Sequence, residues 1–150
     1  MSAETDLIKL YSAKILELAA DIPHVGKLDN PMGHAKKRAP LCGSTVSVGL
    51  RMEDGVISDF AQDVKACALG QASASVVAAS VIGRSRTEIQ TARDQLKAML
   101  TDNGPAPAAP FDGLAVLEPA REYRNRHASI LLCLDATLAA MDAAESPVSA

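Results

Sequence analysis

The chain has 150 residues, 48% hydrophobic and 22% charged, with a formal net charge of −3. Such a length suits one domain, 1–150, around one core. The acidic balance, the absence of Trp and the presence of only two Phe and two Tyr exclude a phosphate-tracking or base-stacking surface, so no nucleic-acid partner is expected.

The chain opens on the acidic run Met1-Ser2-Ala3-Glu4-Thr5-Asp6, where a leader would be basic. From Glu4 to Ala20, Leu7, Leu10, Tyr11, Ile15 and Leu18 recur at helical spacing, which predicts an amphipathic helix stopped by Pro23 and Gly26. Lys27 to Pro40 is rich in turn formers and carries the basic run His34-Ala35-Lys36-Lys37-Arg38, read as a solvated edge. Thr45 to Met52 alternates, with Val46, Val48, Leu50 and Met52 on one side, as a half-buried strand does. Glu53-Asp54-Gly55 is a hairpin turn, and Val56 to Ala66 is the returning strand. Gln62 breaks the alternation there, through either a bulge or a tolerated polar edge.

A helix of small residues is predicted over Gln71 to Ile82, ended by Gly83. Ser85-Arg86-Thr87-Glu88 has capping-box form and opens a helix bearing Ile89, Ala92, Leu96 and Met99. Gly104 to Pro110 is a loop. The last helix starts between Tyr123 and His127 and runs to about Ala144, with 145–150 as a frayed tail. Its most apolar stretch, Ile130 to Met141, is interrupted by Asp135 and followed by Asp142, too short and too charged to span a bilayer. A cytoplasmic protein without a membrane partner is the expectation. The order of elements predicts an α+β fold: a small antiparallel β-sheet covered on one face by helices.

Three cysteines cannot all pair, and reduced thiols are expected. Cys42 precedes one strand of the hairpin and Cys67 follows the other, so both fall at its open end. Cys67 also lies just before a helix, whose free N–H groups and dipole favour negative charge. The alternative is two unrelated small residues in turns. His127 stands at the N-terminal end of the last helix, on the side of Ile130, Leu131, Leu134, Leu138 and Met141, either as a third ligand or as a core histidine. Cys133, roughly 120° and about 9 Å further along that helix, is read as packing.

Cys42-Gly43, the strand hairpin, and Cys67 ahead of Ala72-Ser73-Ala74-Ser75 together resemble the IscU/SufU/NifU-type iron–sulfur cluster scaffolds. Their pattern is Cys-Gly-Asp, strands, a Cys before an Ala-Ser-rich segment, and a final Cys opening the last helix. The long interval from Cys67 to the last helix is similar to that of the SufU branch. Ser44 stands where the family has Asp, and the final Cys is missing. In a SufU-like alignment His127 takes its place; in an IscU-like alignment His127 matches a His and Ala128 replaces the Cys. The Leu-Pro-Pro-Val-Lys segment associated with an Hsp70 partner is also missing.

The resemblance implies a metal set of Cys42, Cys67 and His127, with Ser44 a poor substitute for a carboxylate. Two sulfurs and one nitrogen suit iron or an Fe–S cluster, or alternatively Zn²⁺, each needing about one further ligand. The implied function is that of a scaffold rather than an enzyme. It would bind iron or cluster transiently, receive sulfur from a cysteine desulfurase and pass the cluster to apo-protein recipients. Two alternatives are a zinc-dependent sulfur acceptor of the SufU type, with Cys42 and Cys67 accepting sulfur, and an interaction module that has lost the metal.

Overall fold

The computed structural model describes residues 12–40 and 43–145. Helix α1, Ala13–Ala20, is capped by Ser12, whose hydroxyl accepts the Ile15 N–H at 3.3 Å. The part of the expected first helix before residue 12, and the expected tail after residue 145, lie outside the described residues.

Three strands follow: β1 (Gly33–Arg38), β2 (Thr45–Glu53) and β3 (Val56–Lys65), antiparallel in the order β1-β2-β3. The β2–β3 hairpin matches the expected one and turns through Asp54 and Gly55, both with positive φ. Its register shifts between Arg51 and Met52, not at Gln62. Gln62 is instead a buried polar residue on the core side, opposite Val48. Its Nε2 donates to the Pro23 carbonyl at 3.2 Å, and its backbone N–H and C=O bond His24 and Gly26. The break in the alternation is therefore a tether that holds the chain leaving α1 along β3.

Strand β1 was not expected as a strand, although its basic run was read as a solvated edge. The basic run forms it, and His34, Lys36, Lys37 and Arg38 are exposed on a sheet edge, where lysines discourage further pairing. Gly33 can pack because it has no side chain: a Cβ there would lie 2.6 Å from the Ala144 nitrogen and meet the Ala140 carbonyl oxygen.

The inner face of the sheet, with Val46, Val48, Leu50 and Phe60, is covered chiefly by helix α4 (Arg124–Glu145), with α2 (Ala68–Ser80) packed beside it and α3 (Arg86–Thr101) packed on α4 and the segment before it. The expected capping box on α3 is present in full, with Ser85 Oγ accepting Glu88 N–H at 3.2 Å and Glu88 accepting Ser85 N–H at 3.1 Å. A 3-10 helix, Asp112–Glu122, fills the interval before α4 and buries Leu114, Leu117 and Ala120 at its three-residue period. Helix α4 packs against β1, β2, α2, α3 and the 3-10 helix, and it is apolar nearly all round, as a central helix must be. By length and composition it could cross a membrane, but 72% of its most apolar window is buried within the fold.

Candidate metal centre

Two loops and two helix starts meet at the open end of the β2–β3 hairpin. Thr45 pairs with Lys65, so the residues just before β2 and just after β3 are brought together. Cys67, two residues past β3, is the N-cap of α2, with extended backbone (φ −66°, ψ 169°) and a half-buried side chain. On the other side, Ser44 is buried: Ala39 N–H donates to the Ser44 carbonyl at 2.8 Å, and Gly43, at φ +69°, donates its N–H to the Ala39 carbonyl at 2.9 Å. Cys42 lies outside the described residues, two positions before Ser44 in the sequence.

The third component comes from α4, and it is Ser129. Its Oγ is 3.0 Å from Ser44 Oγ and 3.6 Å from Cys67 Sγ, with the residue only 1% exposed. Gly70 permits this approach: a Cβ there would stand 2.6 Å from Ser129 Oγ and 3.1 Å from the Ser129 carbonyl oxygen. Ser44, Cys67 and Ser129 therefore form one thiol–hydroxyl cluster drawn from three separated segments.

His127 faces elsewhere. Two helical positions turn it about 200° from Ser129. It is buried, and its Nε2 lies 2.9 Å from the Ala120 carbonyl and 3.1 Å from the Arg121 carbonyl. A carbonyl can only accept, so this nitrogen carries the proton and ties the end of the 3-10 helix to the first turn of α4. The structure thus links Ser44 and Cys67 through the Ser129 hydroxyl, but no described contact brings His127 to either. Among the described residues no three His, Cys, Asp or Glu side chains gather in a metal-binding group. A thiolate-held metal or cluster fits this donor set only when Cys42 joins Cys67; hydroxyls are hard, weak donors that serve better as hydrogen-bond donors to sulfur.

Cys133 packs as expected. It follows Ser129 by one helical turn and is buried, with Sγ 3.5 Å from Ser73 Oγ, and burial pushes its thiol up to about 11. Nothing in the sequence marks Ser129, a hydroxyl inside a helix; the available signal was the pair of small residues, Gly70 and Ser73, about one turn apart and facing Ser129 and Cys133, themselves one turn apart.

Residues 10–120 match the protein family described as NifU-like N terminal domain. The chain is 45% identical to a nitrogen-fixing NifU-like protein (N-terminal) from Brucella abortus, whose crystal structure superposes with a TM-score of 0.91, covering 95% of this chain and 99% of that one. It is 34% identical over 80 residues to the iron–sulfur cluster assembly scaffold protein IscU of Thermotoga maritima, covering 53% of this chain and 56% of the relative. The protein of the same name from Streptococcus pyogenes serotype M1 is 28% identical over 98 residues, covering 65% of this chain and 61% of the relative. The matches thus span about six-tenths of these curated relatives' length. A putative scaffold protein for the SUF system from Fervidobacterium islandicum AW-1 shares the fold, at a TM-score of 0.79 and 20% identity over 89% of this chain and 98% of that one.

Proposed function

This chain belongs to the NifU-like N-terminal domain family, within the IscU/SufU/NifU group of iron–sulfur scaffolds, and on that premise we propose that it assembles iron–sulfur clusters as a carrier in the cytoplasm. The cluster is cargo, taken up and released. The observation that carries this reading is the Cys67 thiol, placed by the hairpin end beside Ser44 and Ser129. Cys42 supplies the second thiol in the proposal.

The chemistry asked of these residues is modest. The Cys67 thiolate attacks the outer sulfur of a persulfide on a cysteine desulfurase, an S–S bond breaks, and the desulfurase thiolate leaves while Cys67 keeps the transferred sulfur. Ser129 donates a hydrogen bond to sulfur at this position, and Ser44 holds the Ser129 hydroxyl in place. Two electrons per sulfur from an external low-potential electron carrier or dithiol cleave the Cys67 S–S bond to thiolate and sulfide, iron binds that sulfide together with the Cys42 and Cys67 thiolates, and the assembled cluster passes to apo-protein recipients. His127 does not enter this scheme as ligand; it fixes the start of α4, and so the aim of Ser129 two residues on.

A second reading is a zinc-dependent sulfur acceptor. The hydroxyls at Ser44 and Ser129 favour it, because two thiolates and weak oxygen donors hold a single ion more readily than a cluster that takes four cysteines. Anaerobic purification followed by measurement of zinc, iron and sulfide per chain, with a visible absorption spectrum, separates the two. Iron and sulfide in equal amounts support the scaffold. Zinc without sulfide supports the sulfur acceptor. Neither, even after reconstitution with iron and sulfide, sinks both.

A further inference from the structure

The sheet presents only one face to the helices. Its outer face is crossed by residues 24–32, a strap fastened at both ends. At one end, Gly26 N–H donates to the Gln62 carbonyl and Gln62 N–H to the His24 carbonyl, both at 2.9 Å. At the other, Met32 N–H donates to the Leu50 carbonyl at 2.8 Å, and the Arg51 guanidinium donates to the Asn30 carbonyl. Between strap and sheet lies a cavity of about 300 Å³.

Its floor is made of small residues. Strand pairing places Ser47 beside Lys36 and Asp63, and Gly49 beside His34 and Ala61, all on the outer face. Gly49 is a necessary part of that floor: a Cβ would lie 3.5 Å from Pro31 Cβ in the strap, so a longer side chain would fill the space. Lys27 closes the cavity from the strap, and His34 and Lys36 from β1. His34 and Lys36 are two residues apart on one strand face, spacing their nitrogen donors by about 7 Å. Against these stands one carboxylate, Asp63. None of Lys27, His34, Lys36 and Asp63 makes an ion pair or a side-chain hydrogen bond with another described residue.

A preformed, roofed cavity with unpaired cations, in a chain of net charge −3, selects anions locally against the charge of the whole molecule. Lys27 on the strap and Lys36 on β1 reach the cavity from two sides, which matches a ligand with two or more acidic groups, and Ser47 and Asp63, paired across β2 and β3, can take a hydroxyl between them. We propose that this cavity binds a small hydroxylated polycarboxylate, at a site separate from the Cys67 cluster. The strap leaves room for a small free molecule, whereas an acidic side chain from a partner would bring its backbone against the strap.

The full chain, labelled with ¹⁵N, is titrated with citrate as probe and with glycerol as the uncharged control. Citrate is expected to shift the amides of 26–36, 47–49 and 61–63, with millimolar or tighter affinity, and glycerol to shift none. Lys27→Ala and Lys36→Ala, at exposed side chains without an ion pair or hydrogen bond among the described residues, should each weaken citrate about tenfold. Gly49→Val should abolish binding by filling the floor, with circular dichroism confirming the fold. The proposal is overturned if citrate shifts amides elsewhere or none at 10-fold above about 1 mM. It is equally overturned if the Lys27→Ala/Lys36→Ala double variant binds within twofold of the parent. An acetylated Glu-rich peptide that shifts the same amides at lower concentration than citrate would overturn it in favour of a protein segment.

Discussion

Cys133 and Cys67 differ in one respect that can be measured directly. Burial raises the Cys133 thiol from 9.0 to about 11, while Cys67 is half-buried at a helix start. Alkylation of the native protein at pH 8 is expected to label Cys67 and spare Cys133 until denaturant is added, as peptide mass spectrometry would show. The same shift bears on stability. A thiol whose folded value is raised favours the folded state fully below pH 9 and loses that advantage as pH rises from about 9 to about 11. The loss is up to roughly 3 kcal/mol, and Cys133→Ala should flatten urea midpoints across that window while costing about 1 kcal/mol at neutral pH. A parent and variant with parallel pH profiles would contradict it. At the α4 start, His127→Ala should leave metal content unchanged while destabilising by about 1–3 kcal/mol, since two carbonyls lose their shared donor. Ser129→Cys, by contrast, places a third sulfur beside Cys67 and should raise iron and sulfide per chain. Loss of metal in His127→Ala with the fold intact would return that residue to the ligand set. The sequence displayed Cys67 and His127 plainly and Ser129 hardly at all, because a hydroxyl in a helix carries no signature until the facing helix is known.

At the scale of elements, what the sequence revealed depended on how far each element relies on large apolar side chains. The hairpin was legible because Val46, Val48 and Leu50 alternate into the core. The α3 start was legible because Ser85 and Glu88 stand three apart, and Ser85→Ala should cost about 1 kcal/mol in denaturant unfolding. Strand β1 was not, since its inward residues are Gly33 and Ala35, chosen for closeness to α4 rather than for hydrophobicity. The 3-10 helix hid behind Pro119 and Gly113, though Leu114, Leu117 and Ala120 already carried its period. These close approaches also give the sharpest element-scale expectation. Gly70→Ala drives a methyl against Ser129 and should separate α2 from α4 at the site, costing about 1–3 kcal/mol. Its effect on thiol reactivity of Cys67 should exceed that of Ala78→Gly, about two turns further along α2, when alkylation rates are compared.

Across the whole molecule, the three groups joined at the Ser129 hydroxyl are far apart in the chain: Ser44 before β2, Cys67 after β3 and Ser129 in α4. Bringing the first two together needs only a hairpin, which forms fast and locally. Ser129 arrives only when α4 has packed against β1, β2 and α2, a set of long-range contacts that forms late. In a urea series, metal uptake and far-ultraviolet circular dichroism should therefore lose their signals at the same midpoint; uptake persisting well past the circular dichroism transition would show that the hairpin alone suffices. The arrangement makes the receptacle a report on completion. A half-finished chain offers scattered hydroxyls and thiols with no shared geometry, and reactive sulfur or iron finds a lodging only on a molecule whose last helix has already docked.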